Sequence, residues 1–171
     1  WKMGGFSFHP GLEVFGGYRV TLNEGDDGGE KWFHDFDLGR AHLWLDARYQ
    51  RARAKVLLEA VRSASEGALI GVAGDSLVTR IRQAWLSYDF WGWVTLRAGL
   101  VPTLAQPAVE HSEGLRPVGQ TPLEAFGILS PADLGATATL HLPRGFGQVS
   151  VGGYNGEGYR SRELNRGKNI E

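Results

Sequence analysis

The chain has 171 residues, a formal net charge of −1 and no cysteine. Its length suits one domain, spanning residues 1–171. The near-neutral charge, with no Lys/Arg cluster, argues against a nucleic-acid partner, and no disulfide framework or thiolate site can be built. No apolar run approaches the ~18–20 residues of a spanning helix; Gly67–Gly74 comes nearest and is far too short. The opening Trp1-Lys2-Met3 has no signal-peptide core, so such a peptide is expected to have been removed or to lie outside this sequence.

Alternation of apolar and polar residues, the mark of a strand, begins early. Phe6–Leu22 places Phe6, Phe8, Leu12, Val14, Tyr18 and Val20 on one face and Ser7, His9, Glu13, Arg19 and Thr21 on the other. Pro10 points to an edge or a bend there. Asn23–Lys31 reads as a polar loop. Trp32–Gln50 is the next strand, with Ala41, Leu43, Leu45, Ala47 and Tyr49 opposite Arg40, His42, Trp44, Asp46 and Arg48. Phe36 and Leu38 sit in the opposite phase, which predicts a bulge near Gly39. After a short connection at Arg51–Arg53, Ala54–Ser63 offers Val56, Leu58 and Ala60 against Lys55 and Glu59, with Leu57 and Val61 blurring the pattern. Ala64–Asp75 is a Gly-rich loop.

Ile81–Val101 then reads as two strands around a tight aromatic turn. Ala84, Leu86, Tyr88 and Phe90 alternate in the first arm, with Trp85 the large exception on the polar side; Val94, Leu96, Ala98 and Leu100 alternate in the second. Pro102–Pro131 is long and has no sustained period. Leu134–Leu142 and Gln148–Asn155 are strands joined by a turn at Pro143–Gly147. Gly156–Lys168 is a polar loop, and Asn169–Glu171 starts an eighth strand.

The connections sort by length. The odd-numbered ones, Asn23–Lys31, Ala64–Asp75, Pro102–Pro131 and Gly156–Lys168, are long; the even-numbered ones, Arg51–Arg53, Asp89–Gly92 and Pro143–Gly147, are short. In an up-and-down meander this puts short turns at one end and long loops at the other, as in outer-membrane barrels. Greek-key crossings of a soluble sandwich would mix the ends. Tyr49, Tyr88, Phe90, Trp91, Trp93 and Phe146 gather at the short-turn end, where a membrane interface favours Tyr and Trp. The expected fold is therefore all-β: an antiparallel up-and-down transmembrane β-barrel, of which about 7–8 strands are present and the whole is larger.

Two stretches carry a family resemblance. RQAWLSYDFWGWVTLRAGLVP at Arg82–Pro102 resembles the hairpin of the phosphate-selective porin O/P-like family and related 16-stranded porins. GYNGEGY at Gly153–Tyr159, followed by ELNRGKNIE, resembles a strand end and loop of the same family. The resemblance covers roughly Phe36 to the end, through short motifs in the same order and spacing. It implies a porin of the bacterial outer membrane, and a homotrimer. The chain departs from the pattern in being less than half the length such a porin needs and in ending at Asn169-Ile170-Glu171 without a terminal aromatic strand. A fragment, or the ordered part of a longer chain, is expected.

If the polar face lines a lumen, the pore-lining candidates are Arg19, Arg40, His42, Asp46, Arg48, Lys55, Glu59, Arg97 and His141, with Glu13 beside them. Five fixed cations face three anions, which predicts a mild preference for anions. Arg80 and Arg82 fall in the lipid-side phase, where they would snorkel at the extracellular rim unless a bulge shifts them. By position, the 102–131 segment resembles the loop that folds into the lumen of general porins and forms the constriction. Its candidates are Glu110, His111, Glu113 and Arg116. The family's phosphate selectivity is associated with a basic constriction; three Glu, counting Glu124, against one Arg do not carry it over. An ordinary extracellular loop packed on its own apolar residues is the alternative.

An enzyme is not expected. His111-Ser112-Glu113 brings together three catalytic residue types, but a triad is a spatial constellation rather than a sequence run. The acids around Asp26-Asp27 read as a solvated loop, and His9, His34 and His42 lack metal-ligand spacing, so neither metal nor cofactor is expected. The partners implied are the lipid bilayer and small hydrophilic solutes. Three functions remain: a passive diffusion porin, a porin-like barrel acting as a structural or docking component of an envelope complex, and a soluble β-sheet binding domain.

Overall fold

The computed structural model of the chain describes residues 2–3, 5–24, 30–62, 77–107, 109, 126, 128–156, 158 and 168–171. Among them nine strands form one antiparallel sheet in sequence order. They are β1 (Lys2–Met3), β2 (Phe6–Glu24), β3 (Glu30–Tyr49), β4 (Ala52–Arg62), β5 (Leu77–Phe90), β6 (Val94–Pro102), β7 (Ala132–His141), β8 (Gln148–Tyr154) and β9 (Asn169–Ile170). The expected all-β, up-and-down meander is present; among the described residues it does not close into a barrel, and the sheet is open with β1 and β9 at its edges.

Several boundaries differ from the sequence-based expectation. The ends of Asn23–Lys31 belong to the ladder: β2 and β3 pair from Phe6 with Tyr49 out to Glu24 with Glu30, which leaves 25–29 between the strands. Polar residues tolerate strand geometry when both faces meet water, so their composition alone masked the hairpin. Arg53 also belongs to a strand rather than to a connection; it pairs with Arg48 on one side and Ser87 on the other. At Pro10 the ladder runs to Leu45 on β3, while β1 reaches β2 only at Phe6 and Ser7. A proline lacking its N–H is tolerated at such an edge.

Two bulges decide which residues share a face. Phe15 pairs with Arg40 and Gly16 with Leu38, which leaves Gly39 unmatched, as the phase change at Phe36 and Leu38 predicts. Leu57 pairs with Gln83 and Leu58 with Ile81, so Arg82 is the extra residue in β5. That second bulge reverses the phase of β5 above it and brings Arg80 opposite Glu59.

The resulting faces are chemically opposite, and their burial is inverted relative to a soluble domain. The apolar face is open: Phe36 is 84% exposed and Leu86 68%, and Leu12, Leu43, Val56, Ile81, Leu134 and Val149 are exposed as well. On the polar face Glu59 is 0% exposed, and Arg40, His42, Arg82, Ser87 and Thr137 are buried. Trp85, Val101 and Tyr154 form a small cluster of buried residues. Trp85 lies opposite Gly99, whose φ of +122° and contact with the Ala84 carbonyl leave no room for a side chain.

Candidate functional site

The polar face is built row by row from the register. One row runs Glu13, His42, Glu59, Arg80 across β2 to β5. Directly opposed side chains on neighbouring strands lie within contact reach, so this order brings acidic and basic side chains together. Glu59 is the centre. Its Oε1 accepts from Arg82 Nη1 at 2.6 Å and lies 3.3 Å from His42 Nε2; its Oε2 accepts from Arg80 Nε at 2.8 Å. Arg80 Nη2 also stands 2.7 Å from Oε2, and Arg40 Nε lies 3.7 Å from Oε1. On the far side of His42, Nδ1 faces Glu13 Oε2 at 3.4 Å. Phe15 meets the His42 ring edge-on and carries Arg40 over its face at 5.8 Å. A buried carboxylate needs such partners, because leaving it unpaired costs several kcal/mol, on the order of 3–5.

The next level toward the short turns holds Asp46, with Lys55 Nζ 3.8 Å away and lying 6.0 Å from the Trp44 ring. Below it, one row runs Ser7, Arg48, Arg53, Ser87, Arg97 and Thr137. Arg97 stacks its guanidinium 4.3 Å from the Trp85 ring centre. Arg48 Nε donates to the Gln50 carbonyl at 3.4 Å. Near the turns Thr95 Oγ1 donates to Asp89 Oδ1 at 2.8 Å and stands 3.0 Å from His141 Nε2. With its hydroxyl proton committed to Asp89, Thr95 accepts from the imidazole.

The nine expected pore-lining residues therefore lie at different levels of the polar face. Arg40, His42 and Glu59 share one cluster, Asp46 and Lys55 form a pair, and Arg48 and Arg97 share a row. His141 stands apart at the turn end. Arg19 stands apart at the other end, exposed and 3.7 Å from Asp37. Of the two readings of Arg80 and Arg82, the shift by a bulge is the one present: the bulge at Arg82 turns both to the polar face, where they bind Glu59. Arg53 was hidden by its place in a supposed turn. The Leu57-Leu58 pair was the available signal, since two bulky apolar neighbours break alternation where the ladder slips.

The constriction candidates Glu110, His111, Glu113 and Arg116 lie outside the described residues. The stems of that segment are tied together: Thr103 Oγ1 donates to the Ser130 carbonyl at 2.8 Å, and the Leu104 N–H to Glu171 Oε2 at 2.7 Å. Asp133 continues the tie, accepting from the Leu134 and Gly156 N–H groups at 2.7 and 2.6 Å. Among the described residues no group of His, Asp and Glu is arranged to hold a metal ion, and no helix is long and apolar enough to cross a membrane.

The apolar face has its own relief. A row of small residues, Ala47, Ala54, Ala98, Ala136 and Gly153, interrupted by Leu86, crosses the sheet from β3 to β8. A cavity of about 900 Å³ runs along it, with Tyr49, Tyr88 and Leu96 among the residues that line it.

What fold and faces define here is a class: an all-β, antiparallel, up-and-down single sheet with one apolar and one charged face. No protein-family model, no curated protein and no solved structure matches the chain.

Proposed function

We propose that the chain is part of an outer-membrane diffusion barrel that passes small hydrophilic solutes, with a mild preference for anions. The inverted burial carries this reading. Large apolar side chains stand open on one face while Arg40, His42, Glu59 and Arg82 are buried on the other. A bilayer stabilises the first arrangement, and an aqueous lumen with paired charges accommodates the second. The turns support it too: β3 and β4 join through Gln50 and Arg51, and β5 and β6 through Trp91–Trp93, with Trp91, Trp93 and Phe146 exposed at that end. Tyr and Trp favour a membrane interface.

Planar-bilayer recording of the full chain, folded in detergent, tests the proposal. Stepwise conductance is expected, with a reversal potential displaced toward the anion potential in a salt gradient. A folded chain that gives no current overturns the open pore and leaves a structural or docking barrel.

One observation favours a different reading. The cavity along Ala54, Ala98 and Ala136 is concave and apolar, as a soluble sheet that binds an apolar partner would require. Detergent dependence separates the two: a chain that is folded and monodisperse in plain buffer overturns the membrane placement.

A further inference from the structure

We propose that Glu59 is a specificity-determining residue of the polar face: its carboxylate holds Arg80 and Arg82 there and sets the field that a passing ion meets at that level. The inference rests on the diffusion-barrel reading and names the group that tunes it. Arg80 and Arg82 lie two residues apart in a strand whose even-numbered positions, from Ala84 to Phe90, are apolar. Without the bulge both would share that side, where an arginine faces hydrocarbon unfavourably. The bulge supplies the turn, with Arg82 as its extra residue in β5. Glu59 then holds both guanidinium groups on that face. Arg82 Nη1 sits 2.6 Å from Oε1 and Arg80 Nη2 2.7 Å from Oε2, so the two arginines of β5 bind different carboxylate oxygens.

Arg40 and His42 approach the same carboxylate from β3, so groups from both neighbouring strands converge on β4. Glu59 is fully buried, and solvent screens a charge there less than at a surface. Removing that one negative charge therefore shifts the local potential toward positive whichever other groups stand nearby. Rings of charge select ions by sign.

The experiment compares the parent chain with Glu59→Gln, Glu59→Asp and Arg80→Gln in planar bilayers. Reversal potentials in a potassium chloride gradient are recorded, and folding is checked by heat-modifiable gel mobility. Glu59→Gln is expected to raise the chloride-to-potassium permeability ratio roughly twofold, Glu59→Asp to keep it near the parent, and Arg80→Gln to lower it. A purely structural staple would change the melting behaviour of these variants and leave the ratio alone; that outcome overturns the inference. Should Glu59→Gln fail to fold, Arg80→Gln, whose side chain is partly exposed, decides alone: an unchanged ratio overturns the proposal and a lowered one supports it. A parent that carries no current overturns the diffusion reading itself, a result distinct from a conducting parent with unresponsive variants.

Discussion

Residue by residue, the charged face is organised by cross-strand pairing that no single strand reveals. Arg40, His42 and Glu59 could each be placed on the polar side from alternation alone. Their convergence could not, because it depends on the register that sets His42 opposite Glu59 and Glu59 opposite Arg80. Glycines show the same dependence. Gly99 reads as a weak point of its strand, yet the fold needs it: its φ is +122° and a Cβ would run into the Ala84 backbone. Gly99→Val is expected to destabilise the folded chain by more than about 1 kcal/mol, since a β-branched residue is both strained and obstructed there. Denaturant titration in detergent measures it; a variant as stable as the parent would show that the β5–β6 ladder has room.

At the level of elements, alternation located the strands from β2 to β8, and the out-of-phase Phe36 and Leu38 marked the bulge at Gly39. The exact place of the slip at Arg82 was not legible, because the Leu57-Leu58 pair marks a break in the period without saying which strand carries the extra residue, and the polar tip of the β2–β3 hairpin carried no apolar periodicity to read. The β5–β6 turn is informative for the opposite reason. Trp91 and Gly92 both have positive φ, 51° and 78°, and Trp93 N–H bonds back to the Phe90 carbonyl. Such turns suit the twist of a hairpin, but they favour Asn or Gly, not tryptophan, at the first position. Left-handed backbone at a non-glycine residue costs on the order of 1–3 kcal/mol. Trp91, 70% exposed and stacked on Trp93 at 5.8 Å, adds nothing to a core in return. Its benefit is expected at a membrane interface. Trp91→Gly should therefore be as stable as the parent or better in detergent, yet dissociate more readily from lipid vesicles. Equal retention in vesicles would remove the interfacial role.

For the whole molecule, the exposed apolar face decides which medium suits the sheet. Leu86 lies near its middle and is surrounded by exposed or small apolar neighbours. Leu86→Arg is expected to cost about 2–4 kcal/mol when the chain is folded in vesicles, the price of a charge at mid-depth in hydrocarbon. The same change should be nearly neutral in water, so unfolding measured in both media reads the placement directly. The edge of the sheet imposes a further condition. Among the described residues β1 covers β2 at Phe6 and Ser7; from His9 to Glu24 the outer side of β2 meets no described strand. Along that length, alternate residues direct their N–H and C=O groups outward. Water can satisfy them, but hydrocarbon cannot, and each unsatisfied group costs several kcal/mol there. If a bilayer covers the apolar face, insertion and closure are one event: β2 enters it only together with a strand that completes its hydrogen bonds.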